Sequence, residues 1–149
     1  MAARALSEHL VEAGAKLLAA LDDAGLQPEG AAWIFDHALG DWRYVVATSL
    51  VQTMGRSSVY KELLTITKKL DMPQDLTVQD IHLVAPGGPL FKAISGALLI
   101  ENGRVTVRDC IINGLSVDAV IFRWTGVPTQ TKAAKVQKEF KRRVKELSD

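Results

Sequence analysis

Three sets of residues in this chain have the types and spacing to do chemistry. The first is the turn Val84-Ala-Pro-Gly-Gly-Pro-Leu-Phe-Lys92. Its glycine stretch, Pro86 to Pro89, leads from a strand into Gly87 and Gly88, and Pro89 suits the first position of a following helix. Free backbone amides at such a helix start can hold an anion, with Lys92 one turn further in. The pattern is neither a G-x-x-x-x-G-K-[ST] loop nor a G-x-G-x-x-G fingerprint. A plain strand-to-helix connection uses the same residues.

The second set is a pair of carboxylates. The apolar runs on either side of Asn113-Gly114 predict a β-hairpin, because Asn-Gly accommodates the positive φ angles of a type I′ turn. A two-residue turn pairs Ile112 with Leu115 and brings Asp109 opposite Asp118 on one face. Two such carboxylates could share a proton or hold a divalent metal through oxygen ligands. The alternatives are a bulge that shifts the register and separates them, or two solvated aspartates near a hairpin end.

The third set lies in the last twenty residues. Seven basic side chains fall between Lys132 and Lys145, among them Lys135, Lys138, Arg142 and Arg143. Residues 129–149 carry seven positive and three negative charges, a net +4, which leaves −3 for residues 1–128 of a chain whose total is +1. That asymmetry suits an acidic partner or a phosphate backbone. A solvated helix face that complements the helix dipole has the same composition. No interleaved aromatic residues suited to base stacking accompany it.

The other reactive residue types form no constellation. His9, His37 and His82 fall in three separate elements without metal-ligand spacing, and no serine has a G-x-S-x-G context. Asp36, His37 and Asp41 cluster beside Trp33 and Trp42, where a ligand pocket and ordinary packing both fit. The single cysteine, Cys110, sits in an apolar run. It excludes an intrachain disulfide and reads as a small buried hydrophobe. No cofactor is expected. The phrases Trp42–Val51 and Ile81–Leu90 resemble segments of small bacterial proteins, which implies no activity and no residue role.

These candidates need a scaffold, and the chain predicts one. Its 149 residues, 48% hydrophobic and 23% charged, match a single domain of ordinary globular composition. Residues 1–25 read as an amphipathic helix with Leu6, Leu10, Ala13, Leu17 and Leu21 on one stripe, stopped by Gly25 and Pro28. Residues 31–39 read ambiguously, with Asp36-His37 and Gly40 favouring a helical turn. Trp42–Val51 is the first expected strand, 57–70 a crossover helix and 78–85 the second strand, so that strand, helix and strand form a right-handed parallel βαβ unit. Further strands are expected at 97–100, 104–112 and 115–124. A basic amphipathic helix at 129–148 has Ala133, Val136, Phe140, Val144 and Leu147 as its apolar stripe.

The fold expected is therefore one α+β, or mixed α/β, domain. Its mixed sheet spans 42–124, combines the βαβ unit with a C-terminal hairpin, and is covered by the N- and C-terminal helices. The N-terminal residues lack a continuous apolar run, and no segment approaches a membrane span, so a cytoplasmic protein is expected. For function, the missing catalytic signature favours a non-enzymatic interaction domain, a homo-oligomer or a partner of another protein. The alternatives are a small enzyme or nucleotide-binding domain using the glycine turn and the Asp109/Asp118 pair, and, more weakly, nucleic-acid binding through the C-terminal helix.

Overall fold

A computed structural model of the chain describes residues 6–69, 76, 80–101, 103–112, 114–125 and 130–148. It shows a five-stranded mixed sheet with five helices. In chain order these are α1 (Glu8–Asp23), β1 (Gly30–Asp36), β2 (Asp41–Ala47), α2 (Leu50–Thr53), α3 (Arg56–Lys68), β3 (Ile81–Val84), α4 (Pro89–Ala97), β4 (Val105–Ile112), β5 (Leu115–Trp124) and α5 (Gln130–Ser148). The strand order is β3-β2-β1-β5-β4.

The βαβ unit is present: β2 and β3 run parallel, with Tyr44 opposite Ile81 and Ala47 opposite Val84. The first strand is not at 42, however. Residues 30–36 form β1, antiparallel to both β2 and β5 at the centre of the sheet. The helical turn favoured for 31–39 is thus corrected to a strand. A central strand covered on both faces has no polar alternation to reveal it, and every residue from Gly30 to Phe35 is buried. Its turn is made by Asp36, whose Oδ1 accepts the N–H groups of Ala38 and Leu39, an Asx turn rather than a helix. The strand expected at 97–100 is also corrected. α4 continues to Ala97, and only Ile100 bridges to Trp124.

One face of the sheet carries α1, α3 and α5. Leu17, Leu21, Trp33, Tyr44, Leu63, Phe122 and Phe140 meet there in one buried cluster. The other face carries α4, whose Phe91 and Ile94 pack on Ala32, Val45, Ile121 and Trp124. Contact between α1 and the sheet is close enough to require glycine. A Cβ on Gly14 would lie 2.5 Å from Trp33 Nε1. The helix is tied down by Tyr44 Oη donating to Gly14 O at 2.7 Å and Trp33 Nε1 donating to Leu10 O at 2.9 Å.

The expected stop at Gly25 is a Schellman motif. Gly25 has φ +88°, its N–H donates to Asp22 O, and the Leu26 N–H donates to Leu21 O. Both bonds satisfy carbonyls that the helix end would otherwise orphan. At the other turns foreseen from Asn-Gly, Gly103 and Gly114 have positive φ, while Asn102 and Asn113 lie outside the described residues, as do residues 1–5, 70, 77–79 and 129. Among the described residues no helix is long and apolar enough to cross a membrane.

Candidate functional site

The glycine turn sits where expected, at the carboxyl end of β3 and the start of α4. Gly88 is the N-cap, Pro89 follows at the first helical position, and Lys92 is exposed. Neither Gly87 nor Gly88 has a positive φ, and a Cβ on Gly87 would meet nothing within 4 Å. Neither position needs glycine for its φ, though a Cβ on Gly88 would lie 3.3 Å from Ala85 O. What remains is a helix start whose first residue, Pro89, has no N–H to offer.

Asp109 and Asp118 meet, but not as two carboxylates. Pairing runs from Ile112↔Leu115 to Cys110↔Val117, then shifts so that Val107 faces Ala119. Asp109 lies in the resulting bulge with φ +48°, a conformation that Asp tolerates better than most side chains. Its backbone N–H donates to Asp118 Oδ1 at 2.9 Å. The other oxygen of Asp118, Oδ2, lies 3.3 Å from His37 Nε2. Asp118 is buried and His37 half-exposed. The bulge thus replaces like-charge opposition with a hydrogen bond, and a buried carboxylate pins the turn between β1 and β2 to the last hairpin. Among the described residues no group of three or more His, Cys, Asp or Glu could hold a metal ion.

Basic residues of α5 divide into two kinds. Arg143 faces α1, bonding Glu139 and donating to Asp23 O at 2.9 Å. Arg142 is held on the helix by Glu139 and Glu146. Hydrogen bonds from Arg142 and Arg143 bring the Glu139 carboxyl down to about 2. Lys135 and Lys138 are exposed and line an open groove of about 570 Å³ with Lys132, Arg142 and the end of α1.

Sequence reasoning missed the polar end of the sheet, where β1 begins and β2, β3 and β5 finish. Arg123, in the apolar run of β5, forms a two-pronged ion pair with Asp22 at 2.7 and 2.8 Å. Its Nε donates to Glu101 O at 3.0 Å. Beside it Glu29 is buried, accepting the Ser49 N–H at 3.1 Å at the start of α2. Thr125 closes the corner by donating from both N and Oγ1 to Glu29 O. Burial pushes the Glu29 carboxyl above its ordinary value, offset in part by its backbone hydrogen bonds and by the charge of Lys132. Asp22, Glu29, Glu101, Arg123, Thr125 and Lys132 help to line a cavity of about 340 Å³. A lone Arg between Phe122 and Trp124, and a Glu between Pro28 and Gly30, were the only signals, and no spacing links positions 22, 29 and 123.

The tryptophan cluster divides between core and turn. Trp33 is in the core, while Asp36 makes the Asx turn and pairs with Arg43 at 3.7 Å. His82 is exposed on the β3 edge beside Arg43, and its pKa is lowered by partial burial and by the charges of Arg43 and Arg56. Cys110 is partly buried against the α4-side core. His9 is exposed on α1.

Exposed large hydrophobic side chains are most numerous in the last hairpin and the segment before it. Seven stand out among the described residues: Val105 and Ile111 are on β4, Leu99 precedes it, Leu115 opens β5 across the hairpin, and Leu39, Leu64 and Leu147 lie elsewhere. Ile111 and Leu99 are 75% and 67% exposed. Among the described residues β4 pairs only with β5. Comparison with protein-family models, with curated proteins and with solved structures finds no match.

Proposed function

We propose that the protein is a non-enzymatic interaction domain that associates with a second copy of itself along the β4 edge. The observation that carries this reading is the exposure of Val105 and Ile111 on β4, which among the described residues pairs with β5 alone, with Leu99 exposed before it and Leu115 exposed across the hairpin. Scattered exposed apolar residues are ordinary, whereas several gathered at one sheet edge mark a contact surface.

A second copy fits better than an unrelated partner because the edge is self-complementary. β4 has Arg108 and Asp109 at its centre, both exposed. A two-fold axis passing between them sets Arg108 of each copy against Asp109 of the other. Closed two-fold association of this kind is the commonest oligomeric arrangement. The bulge at Asp109 interrupts the ladder at the axis. Bulges blunt edges against continuous strand addition, so the contact is carried by side chains.

Sedimentation velocity and native mass spectrometry over a concentration series test this directly. The wild-type chain is expected as a dimer at micromolar concentration, and Ile111→Glu combined with Leu115→Glu as a monomer. A wild-type chain that stays monomeric, or a double variant that dimerises as the wild type does, overturns the proposal.

A further inference from the structure

We infer that the outer face of α5 binds nucleic acid through its phosphates, a function separate from the β4 edge. Val136, Phe140 and Val144 turn α5 onto the core. The side opposite them carries Lys135, Lys138, Arg142 and Lys145, at steps of three, four and three residues. Those steps form a straight row about 15 Å long at 1.5 Å rise per residue. Lys141 flanks the row and Lys132 precedes it, and all six side chains are exposed.

Two further observations favour a phosphate-bearing chain. The row borders the groove of about 570 Å³ in which Lys135 and Lys138 lie beside Arg142, itself bonded to Glu139 and Glu146. Glu139 is already committed to Arg142 and Arg143, and through it the Arg142 fork is held in a fixed orientation. The rest of the chain, residues 1–128, is net negative at −3, so a polyanion is attracted to this face and repelled elsewhere. Val136, Phe140 and Val144 are buried in the domain and not available to a bilayer, which separates this helix from a membrane-surface helix. The row carries no aromatic side chain for base stacking, so binding reads the backbone and not the sequence.

The test is fluorescence anisotropy of a labelled random-sequence DNA duplex, and its RNA counterpart, with the full chain across a salt series. Binding is expected at low salt, with log K falling linearly with log salt by roughly 0.9 per phosphate contact. Lys135→Gln with Lys138→Gln should flatten that slope by about 2 units and leave the unfolding transition in place. Lys61→Gln with Lys68→Gln on α3 should leave binding unchanged. Absence of salt-dependent binding, or equal loss in both double variants, overturns the inference. Vesicles containing phosphatidylserine that capture the chain as well as the duplex does would overturn the assignment to nucleic acid.

Discussion

At one end of the sheet Glu29 and Arg123 are wrapped in partners, while at the other the last hairpin leaves Ile111 and Leu115 in water. Each end also holds a buried carboxylate, and the two are treated differently. Glu29 accepts from neutral donors at the start of α2 and is pushed toward its protonated form by burial. Asp118 receives a backbone N–H and an imidazole. The polar end joins segments far apart in the chain: α1, the β1 entry, residue 101 and the end of β5. The hairpin end, apart from the His37–Asp118 contact, joins near neighbours and leaves apolar side chains outside. Polar satisfaction there serves to fix a turn, and the surface it holds in place is what has no partner within the chain.

The largest expected effect comes from breaking the polar end. Arg123→Ala removes the fork on Asp22 and leaves the carbonyl of Glu101 without that donor. The ion pair is only partly exposed, so a loss of about 2–3 kcal/mol of folding stability is expected, measured by urea unfolding. The double variant Arg123→Gln with Asp22→Asn should lose less than the sum of the single changes, because neither leaves a charge stranded. Additive losses would mean that the fork contributes no coupling.

Acid separates Glu29 from Glu139. Because the folded pKa of Glu29 lies above its unfolded value, the native chain binds its proton first. Stability from this group therefore rises as pH falls from the raised folded value toward the ordinary one. Glu139 has the opposite sign: its folded pKa is about 2, so its contribution is present above the ordinary carboxyl value and lost as pH falls toward about 2. Glu29→Gln should abolish the first effect and leave the second. A stability–pH profile of Glu29→Gln parallel to the wild type down through the carboxyl range would show that Glu29 is not held at a cost.

A smaller change of known sign lies in the bulge. Asp109→Gly keeps the backbone N–H that bonds Asp118 and relieves a non-glycine residue at φ +48°. A gain of about 0.5 kcal/mol is expected, read as a raised urea midpoint with an unchanged m-value. A loss instead would show that the Asp109 side chain contributes more than its backbone strain costs.

The contrast between the two ends also explains what the sequence revealed. Local signals were legible: the period of α1 and its Gly25 stop, the βαβ unit, the Asn-Gly hairpin and the stripe of α5. The register from Ile112 to Cys110 followed from the turn alone. The bulge did not, because an extra residue in β4 depends on where Asp118 needs a donor. β1 was unreadable for the opposite reason, since Ala31, Ala32 and Trp33 are buried on both faces and leave no period. The polar end escaped because Asp22, Glu29 and Arg123 are brought together only by the sheet order. Exposure along β4 was equally hidden, as a strand with one neighbour and a strand with two carry the same residue types.

The smallest expected change in stability is the one that bears most on function. Ile111 and Leu115 are 75% and 44% exposed, so replacing both with Glu removes little buried area from the monomer. Surface changes of this kind typically fall within about 0.5 kcal/mol. If the pair exists to fold the domain, its loss must appear in urea unfolding at low protein concentration. If it exists to meet a second copy, unfolding at low concentration stays put while the dimer disappears. A wild-type midpoint that rises with protein concentration, as dimerisation requires by mass action, should become independent of concentration in the double variant. Destabilisation of the variant by several times the surface value would place Ile111 and Leu115 in the fold, and the β4 edge would lose its claim as an interface.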